Sequence, residues 1–350
     1  MGFPGSAMRI AAAALSGLAY PLAFAPFDLF WLAPVTVAAL FLIWAKASAR
    51  QAALQGFVFG LGMALAGVSW IYVSLSEFGG MPAPLAGGAV LIFAALMALY
   101  PMAVGFLQAR FGPRSPAARA VLVMPVLWVL GEWLRGNLMS GFPWLYLGYS
   151  QTDTPLAALL PIIGTLGLSL WLALAVGALV AIVHGAGRAR VLPAGVLLAL
   201  GVCTALARLP VFVAPAGESL NVALVQHNVS LSEKWQSHNA SNIASAYLHE
   251  SEALSGADLI VWPEAALPTY LDEIAPAFLA RLEDHEADFL LGALARDSLE
   301  PNAPYYNVAV GIGEAKSLYR KHQLVPFGEY LPLAALLGWL LDYLNIPMSD

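Results

Sequence analysis

The hydrophobic pattern of the chain changes near residue 215. Before that point apolar residues run in long stretches, and after it they come in short runs between polar segments. Windows near 8–25, 29–45, 52–76, 83–108, 116–135, 157–183 and 191–212 are apolar over lengths close to the ~20 residues a helix needs to cross a bilayer core. They predict a multi-span α-helical membrane bundle of seven spans over 1–212. From Ser219 onward, 220–226, 259–262, 289–291 and 308–312 are short, β-branched or apolar runs that suit buried strands. Between them, 240–254 and 276–282 read as helices. Strands alternating with helices predict an α/β domain over 219–350 in which helices cover a sheet.

Composition sharpens this division. The chain is 60% hydrophobic and 11% charged, whereas soluble domains are about half apolar and a quarter charged. Up to Gly217 there are ten Lys+Arg and four Asp+Glu; beyond it there are six and eighteen. A mildly basic apolar part is therefore followed by an acidic, water-facing one. Lys46 and Arg50, Arg110 and Arg114, and Arg188 and Arg190 fall in alternate loops, and the intervening loops carry Asp28, Glu77 and Asp153. Basic loops stay cytoplasmic, so the domain after the seventh span is placed on the outer side. Ala23-Phe24-Ala25 spells a signal-peptidase site. The next span follows within a few residues, so the first is read as an uncleaved anchor.

The single cysteine, Cys203, excludes an internal disulfide and a cysteine-based metal site. It falls mid-span among Leu, Ala and Val, where it is read as inert packing. No metal, cofactor or nucleic acid is expected, since no ligand cluster or polybasic stripe is present. Gly56, Gly60, Gly62 and Gly67 on the third span are read as sites of close helix packing. Glu132 and Arg135, three residues apart on the fifth, are placed to pair on one helix face.

Two charges in the outer domain stand out. Glu264 follows a strand run in Trp262-Pro263-Glu264, and carboxylates at strand ends face the crevice where α/β sites form. Lys321 closes another apolar-to-polar transition, with Phe327 and Tyr330 nearby. Apolar surroundings of this kind are expected to bury both charges, which is how acid–base groups are tuned. A solvated loop position for each stays open on spacing alone.

The chain resembles the apolipoprotein N-acyltransferase family. The resemblance rests on Leu22-Ala-Phe-Ala-Pro-Phe27, Gly67-Val-Ser-Trp70 with Phe78-Gly-Gly-Met-Pro82, and Gly141-Phe-Pro-Trp144 with Gly148-Tyr-Ser-Gln151. It continues in Val225-Gln226 with Asn228 and Lys234-Trp235, in Trp262-Pro-Glu264, in Tyr305-Tyr-Asn307 and in Tyr319 through Pro332. It implies a nitrilase-like αββα sandwich outside the membrane of a bacterium's inner membrane, carried on the helical bundle. It also implies a two-step acyl transfer from a phospholipid donor to a diacylated apolipoprotein acceptor, through a cysteine thioester. Matched by motif, Glu264 is the general base, Lys321 stabilises the oxyanion, and Glu329 positions the lysine and the substrate. Trp235, Trp144 and Tyr330 match positions that contact substrate. The protein is expected to act as a monomer.

In the family the nucleophilic cysteine follows the Phe-Gly-Glu-Tyr block, with one more span after it. The chain is therefore expected to be an N-terminal fragment whose outer domain is incomplete and which forms no thioester by itself. The apolar run 331–341, with Trp339 and Tyr343 beyond it, reads equally as an interfacial arm or a packing helix. Two rival classes stay open: a non-catalytic lipid- or lipoprotein-binding membrane protein, and a membrane-bound hydrolase of small amides.

Overall fold

The computed structural model describes residues 5–209, 216–300, 303–314, 316–325 and 329–330. Pro326, Phe327 and Gly328, the run 331–350 and the end of the seventh window lie outside the described residues. Two compact units make up the chain, Met1–Glu77 with Met81–Pro215, and Phe78–Gly80 with Ala216–Asp350.

The first unit is helical. Its main helices are α1 (Ser6–Ala19), α2 (Leu32–Trp44), α3 (Ala49–Gly67), α4 (Ala83–Phe111), α5 (Met124–Asn137), α6 (Leu160–His184) and α7 (Val191–Ala207). Ser48 starts α3 with a reciprocal cap, its hydroxyl accepting from the Gln51 amide while the Gln51 side chain accepts from the Ser48 amide. Among the described residues four stretches, Ala83–Phe111, Pro116–Ser140, Pro155–His184 and Gly187–Ala207, are long and apolar enough to cross a membrane. A fifth is possible if Ala49–Gly67 and Trp70–Phe78, bent by 51°, make one span.

Periodicity predicts seven spans, and helices form in all seven windows. The first two are short, however: α1 has 14 residues and α2 has 13, or about 20 Å at 1.5 Å per residue. A hydrocarbon core is about 30 Å thick. Pro21 draws the chain after α1 into a 3-10 turn, Tyr20–Ala23, and Asp28 takes a positive φ of 54° before α2 begins. A hydropathy window counts the apolar residues across such breaks without registering them.

Gly56, Gly60 and Gly62 of α3 pack against neighbouring helices as predicted, whereas Gly67 meets Pro21 and the loop residue Leu145. A Cβ at Gly56 or Gly60 would strike the backbone of α4 at Pro101 or Ala98, and one at Gly62 would press on Ala14 and Leu18 of α1. Phe41, Trp44, Phe59 and Trp128 fill the space between helices, and the Trp44 indole donates to the Ala52 carbonyl at 2.9 Å.

Two sequence expectations are corrected here. Cys203 is exposed on α7, a helix that buries little of itself, so among the described residues it lies outside the helical core. Glu132 and Arg135 form no ion pair among the described residues. Glu132 Oε1 instead accepts from the Trp128 indole at 3.0 Å and the Leu147 amide at 2.8 Å. Arg135 reaches the Leu145 carbonyl at 3.5 Å and lies over the Tyr146 ring.

Among the described residues the second unit holds a five-stranded sheet in the order β1 (Val222–Leu224), β2 (Leu259–Val261), β3 (Asp288–Arg296), β4 (Tyr305–Ile312) and β5 (Ser317–Arg320). The first three strands are parallel, joined by segments that carry α8 (Ala240–Glu252) and α9 (Pro276–Glu283), as parallel pairing requires. The last three pair antiparallel. Ala223, Ile260, Phe289, Leu291, Val308 and Ile312 share one sheet face, where Ile243, Tyr247, Leu248 and Leu282 from the two helices cover them. Val222, Leu224 and Leu290 on the opposite face are exposed among the described residues. Of the implied sandwich, the described residues thus supply one helix layer and one mixed sheet.

Candidate active site

Glu264 is placed by the way β2 ends. Trp262 extends the pairing, its amide donating to Leu290 O at 2.9 Å. Its buried indole donates to Ser251 Oγ at 3.0 Å, and that hydroxyl donates to Tyr247 O at 2.7 Å. A buried indole N–H needs such a partner, and this one fixes the strand end against α8. After Pro263 and Glu264, Ala265 adopts a φ of 48°, a left-handed conformation uncommon outside glycine. The turn closes through Ala266 N to Pro263 O at 3.1 Å and Leu267 N to Gly292 O at 3.1 Å.

Gly292 of β3 lies directly beneath this turn. A Cβ there would stand 2.5 Å from Pro263 O, 2.6 Å from Ala265 N and 2.7 Å from Glu264 Cα. Glycine inside a strand marks such a close backbone approach.

Lys321 follows β5, and its amide donates to Asn307 O on β4 at 2.9 Å. Its ammonium bridges two carboxylates, donating to Glu264 Oε1 at 3.0 Å and Glu329 Oε1 at 2.8 Å. Glu329 is itself fixed. Its Oε1 also accepts from Asn307 Nδ2 at 3.0 Å, and its Oε2 accepts from the Val325 amide at 2.8 Å.

The three side chains differ in exposure. Glu264 is 64% exposed, Lys321 27% and Glu329 14%. The expectation that apolar neighbours bury both Glu264 and Lys321 is therefore corrected for Glu264. Its turn projects beyond the strand end, while Trp262 takes the buried position. Burial pulls the Lys321 ammonium toward a lower pKa. The hydrogen bonds and charges of Glu329 and Glu264 outweigh that pull and hold it above the usual lysine value.

Two residues next to this trio were quoted in motifs but given no role. Lys234 donates to the Glu264 carbonyl at 3.2 Å. Burial lowers its pKa, and the Glu264 charge partly offsets the shift. Asn307 links the backbone of Lys321 to the carboxylate of Glu329. Gly292 carried no signal at all, because its necessity appears only when two strands are superposed.

Trp235 follows Lys234, is exposed, and lies with its ring centroid 5.8 Å from the Lys234 ammonium. Tyr330 directly follows Glu329 and is half-buried. Trp144 belongs to the helical unit. Its indole donates to Gly67 O at 2.8 Å, and its ring meets those of Trp70 and Phe142. Within its own unit the structure thus gathers Glu264, Lys321 and Glu329, with Lys234 alongside. Among the described residues no group of three His, Cys, Asp or Glu side chains is arranged to hold a metal.

Membrane-length helices followed in the chain by a mixed α/β unit that sets a lysine between two glutamates fit a membrane-bound enzyme. The sequence profile of the apolipoprotein N-acyltransferase N-terminal domain matches residues 16–178. A relative named apolipoprotein N-acyltransferase from Methylococcus capsulatus is 39% identical over 340 residues, covering 95% of this chain and 67% of the relative. Proteins of the same name from Nitrosomonas europaea and Pseudomonas syringae pv. tomato are 39% and 38% identical, covering 98% and 100% of this chain and 69% and 70% of their own lengths. The chain belongs to the apolipoprotein N-acyltransferase family, a family of multi-pass membrane acyltransferases with a nitrilase-like domain.

The Gly292 contact yields a first test. Gly292→Ala is expected to lift the Glu264 turn, costing about 1–3 kcal/mol of stability through overpacking. Misplacing a reacting group by about 1 Å costs roughly 10²-fold in rate. Denaturant unfolding alongside acyl-transfer assays of the complete gene product checks both effects. Unchanged transfer would show that the turn tolerates the methyl group.

Proposed function

We propose that the chain takes part in moving an acyl chain from a phospholipid, through a cysteine thioester, to the N-terminal amine of diacylglyceryl-cysteine apolipoproteins. The reading places this reaction at the outer face of a bacterial inner membrane, in agreement with the alternating loop charges. The observation that carries it is the Lys321 ammonium held between the exposed Glu264 and the fixed Glu329.

Each group has a definite task in this reading. Glu264 takes the proton of the family's thiol as its sulfur attacks the phospholipid ester carbonyl, and returns it to the departing alkoxide. In the second step Glu264 accepts the proton of the attacking amine and passes it to the departing thiolate as the amide forms, which restores the base and the thiol. Lys321 faces the oxyanion of each tetrahedral intermediate, where one donor is typically worth roughly 2.7–4 kcal/mol. Glu329, held by Asn307 and Val325, keeps the ammonium protonated and aimed. Trp235, Trp144 and Tyr330 contact the lipid-bearing substrates, and a monomer suffices for the chemistry.

The membrane anchor has an energetic reason. Drawing a lipid chain into water costs about 0.8 kcal/mol per CH₂, so a dozen methylenes approach ~10 kcal/mol. A reaction carried out at the bilayer avoids that cost at each turnover.

Complementation tests the proposal. The intact gene is expected to restore growth to a bacterium depleted of its own apolipoprotein N-acyltransferase, with conversion of diacylated to triacylated lipoprotein. Lack of rescue by well-expressed protein would overturn it. Ammonia release from small amides without lipopeptide acylation would select the hydrolase instead.

A further inference from the structure

Glu132 and Arg135 sit about one turn apart on α5 and are only 5% and 6% exposed. They spend part of their bonding capacity on the segment that carries Trp144. Glu132 accepts from Leu147 N. Arg135 donates to Leu145 O, which also accepts from the Tyr20 hydroxyl at 3.3 Å. The Arg135 carbonyl accepts from Phe142 N at 2.7 Å. Both ends of the loop 142–147 are thus tied to these two residues.

Ser169 lies within hydrogen-bonding range of the Glu132 carboxylate, yet Glu132 Oε2 and Arg135 Nε are buried and without a close hydrogen-bond partner among the described residues. Buried charged groups are costly to leave this way, and native proteins answer with ordered water. Both side chains line one cavity, together with Met63, Tyr100, Trp128 and Leu145. Its volume available to a water-sized molecule is about 20 Å³, and a single water needs about 10–15 Å³ on that measure. A lipid headgroup does not fit that space.

We propose that this cavity is a built hydration site within the helical unit. One water donates to Glu132 Oε2 and accepts from Arg135 Nε, and the bridged pair clamps the loop that presents Trp144. The bridge also explains why the two charges stand side by side without a direct ion pair. The hydration site rests on this geometry alone; its bearing on acyl transfer rests on the proposed role of Trp144.

Brief X-ray irradiation of the intact protein in lipid nanodiscs, in ¹⁸O-labelled water, tests the occupant. A bound water generates hydroxyl radicals beside the side chains that touch it. Met63 lines the cavity, whereas Met124 is fully buried and is not among its lining residues. Met63 is expected to oxidise about tenfold faster than Met124, as a hydrated polar cavity demands and a dry apolar interior does not. Equal rates would mean a dry cavity and overturn the site. The clamp is read separately by hydrogen exchange. Arg135→Met is expected to speed exchange of the Leu147 amide by about tenfold or more, and an unchanged rate in a folded variant would overturn the clamp. Neither readout involves acyl transfer, so failure here and failure of the proposed function are distinguishable.

Discussion

Glu264→Gln is expected to lower acyl transfer by the complete gene product about 10²–10⁴-fold, the usual worth of a positioned general base, while leaving stability nearly unchanged. The substitution is almost isosteric. A glutamine oxygen can still accept the Lys321 hydrogen bond that Glu264 Oε1 accepts at 3.0 Å. The Glu264 side chain is 64% exposed, and exposed ion pairs contribute only about 0–1 kcal/mol. What the amide cannot do is take a proton from a thiol or an amine. A large rate loss with an unmoved unfolding midpoint therefore separates chemistry from architecture. Single-turnover assays with a diacylated lipopeptide, in parallel with thermal unfolding, give both numbers. Transfer within a few-fold of wild type would remove Glu264 from the role of base.

The sheet was legible where strands are buried. The runs at 259–262, 289–291 and 308–312 mark β2, β3 and β4 because their side chains enter the core beside α8 and α9. β5 has no such signature. Ser317, Leu318, Tyr319 and Arg320 are all exposed, and only pairing with β4 makes them a strand. The helices were legible from hydropathy, but the lengths of α1 and α2 were not, since proline and a positive φ end a helix without altering apolar content. The site shows the same division. Glu264 and Lys321 are 57 residues apart in sequence, and their charge pattern alone leaves each a plausible loop residue. Motif resemblance singled them out, and the structure supplied the shared hydrogen bonds. Lys234, Asn307 and Gly292 were assigned no role, because each acts through contacts made across the fold.

Lys321→Arg should cost nearly as much as loss of the residue, about 10²–10³-fold in transfer, the worth of one oxyanion donor. The charge survives this change, so the argument turns on shape. One ammonium nitrogen reaches Glu264 Oε1 and Glu329 Oε1 at 3.0 and 2.8 Å, leaving its third proton for a substrate oxygen. A guanidinium is a planar fork of larger reach. It satisfies the two glutamates with separate nitrogens and points its remaining donors elsewhere. The protonation state does not rescue it, because lysine is already held charged above its usual pKa. A group raised in this way contributes stability that is fully present below the unfolded lysine value. That contribution is lost as pH rises through the higher folded value, so it is intact throughout the neutral range. Lys321→Met is expected to match the arginine variant in rate and to lose stability as well. It leaves Glu329, only 14% exposed, with its Asn307 and Val325 bonds but no cation. Comparing the two variants by transfer rate and unfolding midpoint distinguishes geometry from charge. An arginine variant that keeps near-wild-type transfer would make Lys321 a counter-ion and take the oxyanion role from it.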